Sequence, residues 1–335
     1  MVYRLWTPRH WLTMRARRWT VGVDFGGTNI KVGLVDPRGR IARSRVVPSR
    51  RFGRPDAFIE AISNAVGSIT GTVGIRPAQL RGVGVGAPGT VDVQHGVVHA
   101  CVNVAGWHDV PLRRHLERRL RCRCAVDNDA NLLTLGEWRF GSGRGATQLV
   151  GVTLGTGIGG GLLFDGRLVR GASGSAGEIG HMVIDRRGPR CGCGRRGCLE
   201  ALVGTAAIVR MARRAIRRGA EPLGTLAREA QGCVVPRMVG RAARAGDRLA
   251  REVWEKFGRR LGIGLANVVN VVNPDRIVIG GGVANNWALF APALRRTLRA
   301  EAFEVPARAV RVVRASLGDR AGIIGAAVLV WNEIG

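Results

Sequence analysis

From Thr20 the chain alternates apolar residues with small or polar ones, T-V-G-V-D-F-G-G-T-N-I-K-V-G-L-V-D-P-R-G-R-I. A period of two, broken by Gly26-Gly27 and again at Asp36 to Gly39, predicts a strand, a glycine turn, a second strand and a hairpin. Helical spacing then takes over from Pro55 to Ser68, where Phe58, Ile62, Val66 and Ile69 share one face. R-G-V-G-V-G-A-P-G-T-V-D reads as a strand that ends in the turn Gly86 to Gly89, and Pro111 to Leu120 as a helix. Next, C-A-V-D-N-D-A-N-L-L-T-L-G-E-W predicts a strand that delivers Asp127, Asn128, Asp129 and Asn131 to the start of a helix.

The run L-V-G-V-T-L-G-T-G-I-G-G-G-L-L-F-D-G-R-L contains Gly155-x-Gly157-x-x-Gly160, formally a dinucleotide fingerprint. That fingerprint must open a helix, whereas here an apolar run, Leu162 to Phe164, leads to a turn at Asp165-Gly166. Strand, glycine turn and strand is therefore the reading, and it repeats the Asp24 to Val35 arrangement. Gly204 to Arg251 is helical by pattern, with a break at Gly219 to Leu223. A helix from about Ala250 to Val272 ends at Pro274, and Ile277 to Ile279 form a buried strand. Gly280 to Gly282 turn into another helix, and Gly318 to Trp331 form a helix of small residues.

At 335 residues with 46% apolar content, the chain can build two α/β lobes. No apolar run approaches the roughly 20 residues needed to span a bilayer, so no membrane partner is expected. The first nineteen residues are basic and hold Trp6, Trp11 and Trp19, without the apolar core of a signal peptide. A disordered tail is expected there, and Met14 is an alternative start. Seven cysteines show no secreted framework, which points to a reducing cytoplasm. The net charge of +28 raises nucleic acid as a partner. Lys31 and Lys256 are the only lysines, so the other 50 of the 52 basic residues are arginines, spread without a dedicated stripe. A general arginine bias accounts for that better than specific nucleic-acid binding.

Candidate chemistry gathers at the turns. Gly26 and Gly27 allow backbone N–H groups to approach a phosphate, Thr28 offers a hydroxyl, and Asp24 can hold a Mg²⁺-bound water; a plain hairpin would need the same glycines. Asn103, in N-V-A-G-W, either reads a substrate hydroxyl or shapes its turn. A helix cap needs only one of the four polar residues at Asp127 to Asn131, so at least Asn128 and Asp129 are expected to face a ligand. The glycines at 280 to 282 would let a flat adenine lie on bare backbone. His181, Cys191, Cys193 and Cys198 form a one-His, three-Cys set suited to a closed tetrahedral Zn²⁺ site, bracketed by Glu178 and Glu200. Such a site holds shape and leaves no position open for water.

Taken together, D-F-G-G-T-N, G-A-P-G, N-V-A-G-W, D-N-D-A-N, L-G-T-G-I-G-G-G, G-E-I-G-H, C-G-C-G-R-R-G-C-L-E and I-V-I-G-G-G resemble the ROK family of sugar kinases and repressors. The match runs from about Thr20 to the C-terminus. It implies an actin-like ATPase fold, bilobal and ribonuclease-H-like, with a central cleft and a zinc-binding loop, 181–198, in the larger lobe. The smaller lobe would be 20–126 plus 319–335 and the larger 127–318. The resemblance makes Asp129 the catalytic base. It makes Asn103, Asn128, Asp129, Glu178, His181 and Glu200 the sugar contacts, His181 giving one ring nitrogen to zinc and the other to the sugar. Asp24, Gly26, Gly27, Thr28, Thr156 and Gly157 would handle phosphates and Mg²⁺, and Gly281 and Gly282 would face adenosine. Val104-Ala105 stand where the family often has Leu-Pro, and Asp127 where Glu is commoner. The implied function is phosphorylation of the 6-hydroxyl of a hexose, glucose first, with ATP as donor, Mg²⁺ and structural Zn²⁺ bound, in a cytoplasmic homodimer or homotetramer. The alternatives are an N-acetylmannosamine or other hexose kinase, a polyphosphate-using glucokinase, and a sugar-responsive repressor. About nineteen residues ahead of the first glycine turn are too few for a helix-turn-helix domain, which disfavours the repressor.

Overall fold

The computed structural model describes residues 19–26, 29–48, 54–100 and 106–334. Gly27, Thr28, Asn103, Val104, Ala105 and the basic tail as far as residue 18 lie outside the described residues. The chain forms two compact units. The first takes the described residues of Met1–Arg144, Leu168–Ala176 and Asp319–Gly335, and the second takes Gly145–Arg167 and Gly177–Gly318.

The first unit is built on a five-stranded sheet of β1 (Thr20–Phe25), β2 (Asn29–Val35), β3 (Ile41–Pro48), β4 (Gly82–Ala87) and β8 (Cys124–Asn128), in the order β3-β2-β1-β4-β8. β1, β4 and β8 run parallel, and β2 and β3 are antiparallel hairpin strands. Between β4 and β8, a small antiparallel sheet is made by β5 (Thr90–Asp92), β6 (Val97–Ala100) and β7 (His108–Val110). Alternation in V-G-V sends valines to one face and glycines to the other. Val21, Val23, Val83 and Val85 join Phe25, Phe58 and Trp107 in a core covered by α1 (Pro55–Gly71) and α2 (Leu112–Leu120). On the opposite face, α3 (Asp129–Phe140) packs with the C-terminal helix, and a Cβ on Gly22 or Gly84 would collide with the carbonyls of Ile323 and Ala326. Bare strand backbone thus brings that helix directly onto β1 and β4.

A second sheet repeats the plan. β9 (Gln148–Leu154), β10 (Ile158–Phe164), β11 (Arg167–Val169), β12 (Arg276–Gly280) and β13 (Arg311–Arg314) line up as β11-β10-β9-β12-β13, again with β9, β12 and β13 parallel. Numbered in chain order within each sheet, both read 3-2-1-4-5, in keeping with the ribonuclease-H-like sheets that the resemblance implies. Helices α4 (Leu199–Val203), α5 (Thr205–Arg217), α6 (Glu221–Glu229), α7 (Pro236–Arg244), α8 (Arg248–Val272), α9 (Trp287–Glu301) and α10 (Glu304–Ala309) surround it. Trp254 and Phe257 of α8 meet Phe290 of α9 in its core, with Phe257 and Phe290 centroids 5.0 Å apart. The closing helix, α11 (Ala321–Glu333), returns to the first unit.

Two expectations are corrected here. The first boundary falls after Arg144 rather than after Val126, because β8 pairs with β4 and so carries Asp127 to Phe140 into the first unit. The helical stretch after Gly204 has two further breaks, at residues 230–235, where Gln231 and Gly232 adopt positive φ and Pro236 opens the next helix, and at residues 245–247, where Gly246 has φ +101. Among the described residues, no helix is long and apolar enough to cross a membrane.

Candidate active site

In the first unit, Asp24 is the last residue of β1 paired with β4, the Gly86 to Gly89 turn lies at the end of β4, and Asn128 ends β8, all at the carboxyl edge of parallel strands. Open α/β sheets bind ligands at this edge. The turn after β1 closes with Gly26 N–H donating to the Asn29 carbonyl at 3.1 Å. Asp24 packs against Gly322 in the first turn of α11, where a Cβ would stand 2.5 Å from its Cγ. Desolvation by burial pushes the Asp24 carboxyl above its ordinary value of 3.8, and the nearby Lys31 opposes that shift.

The four polar residues at the end of β8 divide their tasks. Asn128 is the N-cap of α3: its Oδ1 accepts from Ala130 N–H at 2.8 Å, and its Nδ2 donates to the Gly89 carbonyl at 3.0 Å. One amide hydrogen and one lone pair remain for a ligand. Asp129 opens the helix half-buried, its Oδ1 also accepting from Ala130 N–H. Asp127 and Asn131 turn inward and are only 1% and 3% exposed. Asp127 takes four donors: Asn128 N–H and Asn131 Nδ2 on one oxygen, and Arg170 Nε and Nη2 on the other. Sequence reasoning missed Arg170, because 43 positions separate it from Asp127 and no local pattern links them.

In the second unit, Gly155, Thr156 and Gly157 form the turn between β9 and β10, closed by Gly155 N–H on the Gly157 carbonyl at 3.0 Å. Thr156 is exposed. Thr205, at the start of α5, fixes the turn by donating its hydroxyl to the Gly155 carbonyl at 2.7 Å. Beside it, at the end of the parallel β12, Gly281 has φ +87 and leans on Leu154, so a Cβ there would collide with the Leu154 carbonyl. A Cβ on Gly282, by contrast, would meet nothing within 4 Å and would point into open space. Two of the three glycine turns expected to meet a nucleotide, Gly155 to Gly157 and Gly280 to Gly282, are therefore neighbours in one unit.

The loop after β11 brings His181, Cys191, Cys193 and Cys198 together, with one ligand atom from each lying within 4.8 Å of the others. Gly197, at φ +72, lets the loop fold back, since any Cβ would collide with the Asp185 carbonyl. Cys191 Sγ lies 3.8 Å from His181 Nδ1, and the Cys193 and Cys198 sulfurs lie 3.7 Å apart. A tetrahedron with Zn–S bonds of about 2.3 Å has edges of about 3.8 Å, so this donor set fits zinc. The Arg195 backbone N–H draws the exposed Cys193 thiol down to about 7, whereas burial pushes Cys198 up to about 12. The other ring nitrogen of His181, Nε2, faces Glu178 Oε2 at 3.9 Å. Glu200, in the first turn of α4, reaches both features: one oxygen lies 3.8 Å from Cys191 Sγ, and the other accepts from Ile158 N–H at 2.9 Å.

A sequence profile of the ROK family matches residues 20–333. The chain belongs to the ROK family. A glucokinase of Halalkalibacterium halodurans is 36% identical over 317 residues, spanning 94% of this chain and 96% of that protein. A glucokinase of Thermotoga maritima is 33% identical over 315 residues, spanning 94% of this chain and 98% of that protein. Among solved structures, a ROK family glucokinase from Streptomyces griseus in complex with glucose and AMPPNP superposes with a TM-score of 0.81 at 34% identity. It covers 94% of this chain and 99% of that one. These likenesses establish the actin-like ATPase fold of the ROK kinases for this chain.

Proposed function

We propose that this ROK protein transfers the γ-phosphoryl group of ATP to the 6-hydroxyl of glucose. It is a sugar kinase, and its likeness to glucokinases extends over nearly the whole chain. The observation that carries the reading is the position of Asp129, a half-buried carboxylate opening α3 on the strand edge that also holds Asp24. A carboxylate so placed is suited to accept the hydroxyl proton as the phosphoryl group arrives.

The remaining roles divide by chemistry. Asn128 offers its unused amide hydrogen and lone pair to sugar hydroxyls, alongside Asn103, Glu178, His181 Nε2 and Glu200. The backbone N–H groups of Gly27 and Gly157 and the hydroxyls of Thr28 and Thr156 are assigned to the phosphates, while Gly26, whose own N–H closes the turn on Asn29, lets the backbone come close. Gly281 keeps the turn beside Leu154 open, and Gly282 lies against adenosine. The chemistry that Mg²⁺ supplies when bound is neutralisation of phosphate charge, with Asp24 as its holder through water. His181, Cys191, Cys193 and Cys198 would hold Zn²⁺ as a structural ion that fixes the His181 ring.

A coupled assay across glucose, N-acetylmannosamine, fructose and allose, run with ATP and with polyphosphate, tests the reading. Glucose with ATP is expected to give the highest kcat/KM, with phosphate on the 6-position of the product. A higher kcat/KM for another hexose, or for polyphosphate, would overturn the substrate assignment.

A further inference from the structure

We propose that Arg170 is a positioning residue for phosphoryl transfer, acting through Asp127 on the strand-to-helix corner that carries Asn128 and Asp129. The inference rests on the reading of Asp129 as base.

Asp127 and Asn131 stand two residues to either side of Asp129 and are joined by a 2.7 Å hydrogen bond. The same Asp127 oxygen accepts from Asn128 N–H, also at 2.7 Å. One carboxylate thus ties the last residue of β8 to the first turn of α3 and brackets Asp129. Its second oxygen receives Arg170 Nε at 2.9 Å and Nη2 at 2.8 Å, a two-point grip that fixes the carboxylate plane. An ionised carboxylate has about four acceptor sites, and here all four are filled. Arg170 is itself anchored: Nη2 also donates to Glu333 of α11, and its carbonyl accepts from Ala176 N–H at 2.9 Å.

Without Arg170, Asp127 keeps its charge among groups that no longer balance it, and rotation or protonation costs it the bond to Asn128 or Asn131. The corner then loosens where the reacting oxygen must meet its base. Small misplacements at a reacting centre cost up to about 10²-fold in rate.

The test is steady-state kinetics on Arg170→Met, Arg170→Lys and the double variant Asp127→Asn/Arg170→Met, beside Asp129→Asn, with thermal melting of each. Arg170→Met is expected to lower kcat by about 10- to 100-fold while the KM values for glucose and ATP stay within about threefold. Arg170→Lys keeps the charge but loses the two-point geometry, and should fall between that variant and the wild type. The double variant removes both charges and leaves an amide oxygen to accept from Asn128 and Asn131, so it should recover most of the lost kcat. An Arg170 that merely staples its own segment would show no such rescue. Wild-type kcat in Arg170→Met, or a defect that the double variant does not relieve, overturns the proposal. Should Arg170→Met fail to fold, Arg170→Lys and the double variant still decide: wild-type kcat in Arg170→Lys, or a double variant with a lower kcat than Arg170→Lys, overturns the proposal. An unimpaired Asp129→Asn would overturn the reading of the base, whereas an inactive Asp129→Asn beside a normal Arg170→Met would overturn the positioning role alone.

Discussion

The carboxylate of Glu200 accepts the backbone N–H of Ile158 at 2.9 Å, the first residue after the Gly155 to Gly157 turn. Its other oxygen lies against Cys191 Sγ at 3.8 Å. One side chain thus joins the cysteine cluster to the turn expected to face phosphates. Gly157 is needed beside it, because a Cβ there would run into Glu200 Oε2. Glu200→Ala removes the acceptor and leaves a part-buried N–H unpaired, a loss worth about 1–3 kcal/mol. Calorimetric titration should show weaker binding of both glucose and a non-hydrolysable ATP analogue. Glu200→Gln retains an oxygen for Ile158 and should weaken glucose alone. Unchanged nucleotide affinity in Glu200→Ala would show that this bond does not support the turn.

The cluster itself should hold one zinc per chain, with or without sugar. Binding energy at a closed site is folding energy, so Cys193→Ser should lose the ion and much of the thermal stability together. Metal analysis of protein purified without chelator, paired with melting curves, checks this. Less than about half an equivalent of zinc in such protein would contradict the assignment.

Asp24 supplies a pH dependence. Its carboxyl is pushed above 3.8 by burial, so the folded chain holds this proton more tightly than the unfolded chain does. The contribution to stability is therefore greatest at low pH and declines as pH rises from about 3.8 through the raised folded value. Above that value, the cost of the buried charge persists. Asp24→Asn should accordingly raise the melting temperature of ligand-free protein at pH 7 while weakening Mg²⁺-dependent nucleotide binding. A lower melting temperature for Asp24→Asn at that pH would mean that the charge is stabilised in place.

Gly281 and Gly282 should respond differently to the same substitution. Gly281→Ala places a Cβ against the Leu154 carbonyl at a φ of +87, and a cost above about 1 kcal/mol is expected. Gly282→Ala meets open space and should leave stability within about 0.5 kcal/mol. If adenosine lies there, Gly282→Ala should still weaken ATP binding. Chemical denaturation and nucleotide titration of the two variants separate the effects, and intact nucleotide affinity in Gly282→Ala would remove adenosine from that face.

Much of this was legible in the sequence because its signals are local. Alternation around Gly26 and around Gly155 to Gly157 marked two strand-turn-strand units, and both hairpins form. The His181 to Cys198 set announced itself by residue type and short spacing, and the loop does bring the four side chains together. The unread features depend on distant partners. Alternating glycines in β1 and β4 gave no hint that Ile323 and Ala326 of α11 would lie on them. Arg170 looked like one arginine among 50 until the fold set it on Asp127. The sequence required one of the four polar residues at most as a helix cap and expected Asn128 to face a ligand; the structure makes Asn128 the cap, and its amide keeps a hydrogen and a lone pair besides.

Turnover of Asp129→Asn with glucose and ATP tests the central claim most directly. The change keeps the size of the side chain and its hydrogen bond to Ala130 N–H, and removes the capacity to accept a proton. A fall in kcat of about 10² to 10⁴ is expected, with glucose affinity by calorimetry held within a few-fold of wild type. Near-normal kcat would contradict the account, because no other group has been given the task of taking the hydroxyl proton.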